Sequence, residues 1–165
     1  MNLIKSPNKW LDTQVKPFDF KNLNSEHVVD QMIEKMIEWG GLGLAANQIA
    51  LDAQVFVMKP TLLEDKTPLA IFNPEIVEVS SETETGPEGC LSYPGLWLDV
   101  KRPVAISAKY FDRTGKECTI TLYDLDARCF LHEYDHLQGI TFTDRVSKLK
   151  LDRARKKQQK RLKNG

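Results

Sequence analysis

The sequence predicts an α+β fold from three observations: a helix-period run near the N-terminus, a series of short β-type runs through the middle, and a second helix-period run near residue 130. The first run places Val28, Val29, Met32, Ile33, Met36 and Ile37 at three- and four-residue steps, hence on one helical face. Asn24 or Ser25 can cap that helix, and Gly40 with Gly41 end it. Strands are expected at 54–58, 69–72, 76–79, 98–110 with a break at Pro103, and 117–122. Gly115 marks the hairpin turn between the last two, so the strands read as an antiparallel meander. The second helix starts near Asp124 or Asp126, whose carboxylates suit a helix N-terminus, and runs to about Gln138 before Gly139 stops it. A third helix takes up the basic tail. With no internal repeat and no low-complexity linker, residues 1–165 read as one domain whose segment 145–165 is a basic C-terminal helix or tail.

Composition bounds the function. The chain has 165 residues, 41% apolar and 28% charged, which excludes fibrous, collagen-like and disordered classes. No apolar run approaches the ~18 residues of a membrane span, and the first 20 residues mix Lys5, Asp12 and Asp19 with Pro7 and Pro17, unlike a secretory signal peptide. The protein is therefore expected in the cytoplasm and off membranes, although a mature organellar chain would look the same. Zero net charge conceals a segregation: residues 145–165 carry +9 and residues 1–144 carry −9. The basic segment reads either as a solvated helix or as a surface for phosphate, such as ribosomal RNA, without base readout, because it holds no aromatic residue to stack on bases. Three cysteines (Cys90, Cys118 and Cys129) are an odd number, which favours reduced thiols free to be core filler or ligands.

Two of the three histidines lie in His132-Glu133-Tyr134-Asp135-His136. Spacing i, i+4 puts both imidazoles on one helical face, where they can bind a divalent metal, with Glu133 beside the site for a water. Apolar Phe130, Leu131 and Leu137 argue that this helix is buried. A catalytic site needs a third protein ligand and one open position. No glutamate follows Glu133 and no histidine follows His136, and Phe142 stands where the longer histidine motif needs its third ligand. Asp144, Asp152 and the cysteines remain. Cys129 shares the face of the pair but lies ~10.5 Å of helix rise from His136, too far for one ion to hold all three. Cys118 alternates with Ile120 and Leu122 and reads as core. Cys90 follows the turn-forming Gly86-Pro87-Glu88-Gly89, where a loop can carry its thiolate to the helix.

Three segments, Gly41-Leu42-Gly43-Leu44-Ala45-Ala46-Asn47-Gln48, Glu88-Gly89-Cys90-Leu91-Ser92 and His132 to His136, together resemble the signature motifs of peptide deformylases, in their usual order. The resemblance spans about Ser6 to the basic tail. It implies antiparallel strands packed around the metal helix and removal of the formyl group from the N-terminal methionine of nascent chains. It also implies Fe(II) as the physiological metal, with Ni(II), Co(II) or Zn(II) as substitutes. By the same resemblance Cys90, His132 and His136 hold the ion and Glu133 acts as general base, then passes the proton to the departing amine. The Gln48 amide and the Leu91 backbone N–H stabilise the oxyanion. Leu42, Gly43 and Gly89 contact the peptide, and Glu88, Arg102 and Asp135 form a supporting network. The implied partners are formylmethionyl nascent peptides and, through the tail, the ribosome; the chain is read as a monomer.

Three positions depart from the family pattern. Asn47 stands where small residues or proline are common and is expected to be a harmless loop residue. Trp97 replaces a commonly basic residue at the rim of the peptide channel. Arg128 stands where an apolar residue usually borders the methionine pocket; its stem is expected to pack while its guanidinium reaches solvent, favouring an acidic or carbonyl-rich residue after methionine. Tyr93, Tyr134 and Phe142 are candidates for the groove, with core packing the simpler reading. Two other functions compete: a metallopeptidase with Asp144 or Asp152 as third ligand, and a non-enzymatic ribosome-associated module with a structural metal.

Overall fold

The computed structural model describes residues 1–164. Helix α1 (Ser25–Glu38) begins where the Asn24 carboxamide oxygen accepts from the His27 N–H at 3.1 Å, so Asn24 rather than Ser25 is the cap. Val29, Met32 and Met36 are its buried stripe, and Gly40, at φ 72°, turns the chain out of it. Seven strands follow: β1 (Gly43–Ala45), β2 (Val55–Met58), β3 (Leu69–Val79), β4 (Thr83–Cys90), β5 (Tyr93–Pro103), β6 (Ala105–Phe111) and β7 (Glu117–Tyr123). They form two antiparallel sheets, one of order β1-β2-β3-β6-β7 and one of β4-β5 alone.

Three sequence expectations are corrected here. The runs 69–72 and 76–79 are one strand, β3, with register shifts between Phe72 and Glu75 and between Ile76 and Glu78. Asn73 sits there at φ 48°, and its carboxamide exchanges hydrogen bonds with the backbone of Phe18, which turns a break in the pattern into a bulge. The run around Pro103 divides between two sheets, β5 and β6. Thr83 to Cys90, whose Gly and Pro residues read as a turn, is strand β4, in which Pro87 pairs with Asp99. Proline is tolerated there because the strand has only one neighbour.

Helix α2 (Asp124–Leu137) packs against β1, β2, β5, β6 and β7, and is buried on most sides, histidines included. Phe130 meets Phe56 of β2 edge to face at 5.1 Å. The Asp126 carboxylate is turned away from its own helix end and accepts from the backbone N–H groups of Thr61 and Leu62. Gly139, at φ 76°, ends the helix where a Cβ would lie 2.8 Å from the Asp12 carbonyl oxygen. The larger core joins α1, the five-stranded sheet and α2; a smaller one joins Leu11, Tyr93, Leu96, Leu98, Val100 and Phe142. Helix α3 (Lys148–Asn164) lies on β5, with Leu151 and Ala154 covering that smaller core. No helix among the described residues is long and apolar enough to cross a membrane.

Candidate metal centre

Strand β4 and helix α2 bring Cys90, His132 and His136 together, with one donor atom from each within 4.8 Å of the others. The Cys90 Sγ lies 3.4 Å from His136 Nε2. Two donors sharing one ion through bonds of about 2.0 and 2.3 Å at a tetrahedral angle are roughly 3.5 Å apart, so thiolate and imidazole are spaced as ligands. His132 is fixed from behind, because its Nδ1 lies 2.8 Å from Glu88 Oε1. A carboxylate there accepts a hydrogen bond from Nδ1–H and so leaves Nε2 with the lone pair a cation needs. The residues present therefore fit a divalent ion.

Glu88 is the hub of the polar interior. Arg102 donates to it through Nε and Nη2, both at 2.9 Å, and reaches Asp135 through Nη1 at 2.7 Å. Burial pushes the Glu88 carboxyl up, yet the hydrogen bonds from Arg102 and His132 outweigh it and hold the group at about 2. Arg145 grips the other side of Asp135 with Nε and Nη2, at 3.0 and 2.7 Å. The network expected of Glu88, Arg102 and Asp135 thus contains two further guanidiniums, Arg145 and Arg128, which no local pattern in the sequence announces.

Glu133 points into the same cleft. Burial raises its carboxyl to about 7, against the pull of His132, and its Oε1 has no partner among the described residues. The carboxylate lies over Gly43, where a Cβ would stand 2.8 Å from Oε2, so any larger residue collides with it. The Gln48 carboxamide is oriented at both ends: its Oε1 accepts from the Ala45 N–H at 2.9 Å, and its Nε2 donates to Ser92 Oγ at 3.0 Å and approaches Cys90 Sγ at 3.5 Å. Ser92, fully buried, received no role from the sequence; its place in the cysteine motif was the signal available. Leu42, Leu91, Trp97, Arg128 and Cys129 wall the cleft. The side of Gly89 that a Cβ would fill is closed by the Trp97 ring at 2.9 Å.

Several expected residues stand elsewhere. The Arg128 guanidinium turns inward rather than out to solvent, its side chain 12% exposed: it donates to Glu88 Oε2 and to the carbonyls of Glu84, Gly86 and Val100. Asn47 is fully buried, and its Nδ2 donates to the carbonyls of Thr13 and Trp10, so it holds the N-terminal segment rather than filling a loop. Asp144 accepts from the Thr141 N–H and Asp152 lies exposed on α3; neither joins the metal-ligating group, which removes the third ligand of the peptidase reading. Phe142 and Tyr93 stack edge to face in the smaller core, away from the cleft. Burial keeps the Cys129 thiol protonated, and its Sγ rests 3.6 Å from the Leu42 carbonyl.

The family model for polypeptide deformylase matches residues 1–152. Peptide deformylase 1 of Pseudomonas syringae pv. tomato is 40% identical over 164 residues, covering 99% of this chain and 96% of that protein. The crystal structure of peptide deformylase from Ehrlichia chaffeensis superposes with a TM-score of 0.88 at 35% identity, over 99% of this chain and 97% of that one. The deformylase of Synechococcus elongatus, solved in complex with actinonin, superposes with a TM-score of 0.87 at 35% identity over 96% of this chain and 87% of that one.

Proposed function

The chain belongs to the polypeptide deformylase family, and on that premise we propose how its own residues hydrolyse the N-formyl group from the N-terminal formylmethionine of nascent polypeptides, releasing formate. Cys90, His132 and His136 hold one divalent cation, Fe(II) in the cell, with Ni(II), Co(II) or Zn(II) as substitutes; a thiolate with two imidazoles suits this range. When bound, the cation supplies Lewis acidity, acidifying water and polarising a carbonyl. Glu133 takes a proton on Oε1 and returns it to the departing amine, a role supported by a buried carboxylate beside the two imidazoles whose Oε1 has no partner among the described residues. Gln48, held at Oε1 by Ala45, offers Nε2 to the developing oxyanion in place of its long contact with Cys90. The Leu91 N–H is the second donor. Leu42, Gly43, Gly89 and the stem of Arg128 receive the peptide. An acidic side chain after methionine would have to compete with the four acceptors that already hold the Arg128 guanidinium.

The observation that carries this reading is one cysteine sulfur and two imidazoles gathered within 4.8 Å beside a buried glutamate whose Oε1 has no partner among the described residues. Its test is formate release from formyl-Met-Ala-Ser by anaerobically purified, Fe- or Ni-loaded protein. Wild type is expected to turn over, with Glu133→Ala and Cys90→Ala each lower by at least about 100-fold. A folded, metal-replete wild type that releases no formate rejects it.

We further propose that residues 1–165 act as one catalytic unit, a cytoplasmic monomer whose basic α3 contacts ribosomal RNA. The nine cations and single acid of α3 support that contact.

A further inference from the structure

Arg128 lies four residues before His132, one turn earlier on α2, with its side chain only 12% exposed. Its Nη1 donates to Glu88 Oε2 at 2.8 Å and to the Val100 carbonyl at 2.7 Å, with the Gly86 carbonyl at 3.3 Å. Its Nη2 donates to the Glu84 carbonyl at 2.9 Å. Glu84, Gly86 and Glu88 belong to β4 and Val100 to β5. One helix side chain therefore ties down both strands of the hairpin, and β4 ends in Cys90.

The bond to Glu88 matters as much as those to the backbone. An ionised carboxylate offers about four acceptor positions. Here Arg102 Nε and Arg128 Nη1 meet Oε2, while Arg102 Nη2 and His132 Nδ1 meet Oε1. Glu88 is thus saturated and cannot pivot without breaking a charge-assisted bond. Arg102 reaches α2 at Asp135, beside His136, and Arg128 reaches back from α2 one turn before His132. The helix segment bearing both imidazoles is pinned to the hairpin on either side.

We infer that Arg128 is a positioning residue: its guanidinium straps the β4–β5 hairpin to α2, setting Cys90 and, through Glu88, His132 in ligating register. This rests on the metal-centre reading above. A leucine at 128 fills similar space but takes one donor from Glu88 and releases three strand carbonyls from the guanidinium. A lysine keeps a charge near Glu88 but cannot fork to the carbonyls.

The test loads wild type, Arg128→Leu and Arg128→Lys with Co(II). It reads the thiolate-to-cobalt charge-transfer band, the rate of Co(II) loss to a chelator, and kcat and KM for formyl-Met-Ala-Ser. Arg128→Leu is expected to shift the band, lose Co(II) about 10- to 100-fold faster and lower kcat with KM little changed, as for other groups that orient ligands. Arg128→Lys is expected to lie between. A folded Arg128→Leu with wild-type band and release rate overturns the proposal, as does a rise in KM alone, which would make Arg128 only a wall of the cleft. Should leucine prevent folding, Arg128→Lys decides, and wild-type band and release rate in it overturn the proposal. No Co(II) uptake by wild type overturns the metal-centre reading and this inference together.

Discussion

At the scale of single residues, charged side chains act as local fasteners in two settings. Inside, Glu88 and Asp135 tolerate burial because guanidiniums pair with them; removal of Arg102 would take two of the four donors from Glu88 and one of the three from Asp135. At the surface, Asp112 organises the β6–β7 turn by accepting from the N–H groups of Thr114 and Lys116 and from Thr114 Oγ1, at 2.8, 3.1 and 2.6 Å. The Thr114 hydroxyl is the largest cause of a carboxyl held below its usual 3.8. A lowered folded-state value means the stabilisation is full above about pH 4 and is lost as the pH falls through the folded value. Asp112→Ala is expected to lower stability at pH 7, with the gap between wild type and variant narrowing toward pH 3. Urea denaturation at the two pH values checks this, and a gap that widens on acidification contradicts it. The family resemblance made Glu88, Arg102 and Asp135 legible as a group. Arg128 was misread because a lone arginine on a helix gives no sign of which carbonyls a distant hairpin will present to it.

Elements differ in how openly their sequences declare them. Helices α1 and α2 were legible from apolar spacing and terminating glycines, and α1 also from its Asn24 cap, since a helix closes its hydrogen bonds locally. Strand β4 was not: Gly86, Pro87 and Gly89 favour a turn, and only pairing with β5 across the hairpin makes the segment extended. Helix α3 was legible as a basic helix, but not as a cover, which comes from Leu151 and Ala154 against the smaller core and from Arg161 Nη1 to the Gly95 carbonyl. Cutting the chain after Thr143 would expose that core, so ribosome binding is better probed by charge alone. Lys156→Gln, Lys160→Gln and Lys163→Gln, all exposed, are expected together to weaken sedimentation with ribosomes, flatten its salt dependence and leave turnover of a short formyl peptide unchanged. Unaltered, salt-insensitive sedimentation would refute the contact.

Across the whole molecule, the candidate metal centre lies where two bodies meet. Cys90 comes from the small β4–β5 sheet and both histidines from α2, which packs on the larger sheet, while His132 also touches Phe142 of the smaller core at 5.5 Å between ring centroids. An ion shared by these parts crosslinks them, so its removal should loosen the assembly. With metal at 100 times its dissociation constant the linkage is worth about 2.7 kcal/mol. That corresponds to a fall in Tm of roughly 5–10 °C on chelation, recovered on adding Co(II) or Zn(II). Calorimetry of the chelated and reloaded protein measures it, and an unchanged Tm would speak against a bound ion.

Residue order alone carried the helix periods, the strand runs around the bulge in β3, the charge segregation and the His-Glu-x-x-His pair, because each depends on neighbours within a turn or two. It left the third ligand open among Cys90, Asp144 and Asp152 until the family resemblance favoured Cys90. Packing then placed Cys90 at the end of a strand 3.4 Å from His136 and sent Asp144 to its own turn. It also turned the Arg128 guanidinium inward and buried Asn47 against the N-terminal segment. Those outcomes belong to the tertiary structure for one physical reason. A buried polar group must find partners wherever the fold brings them, and here Glu88 meets a histidine 44 residues away and an arginine 40 residues away.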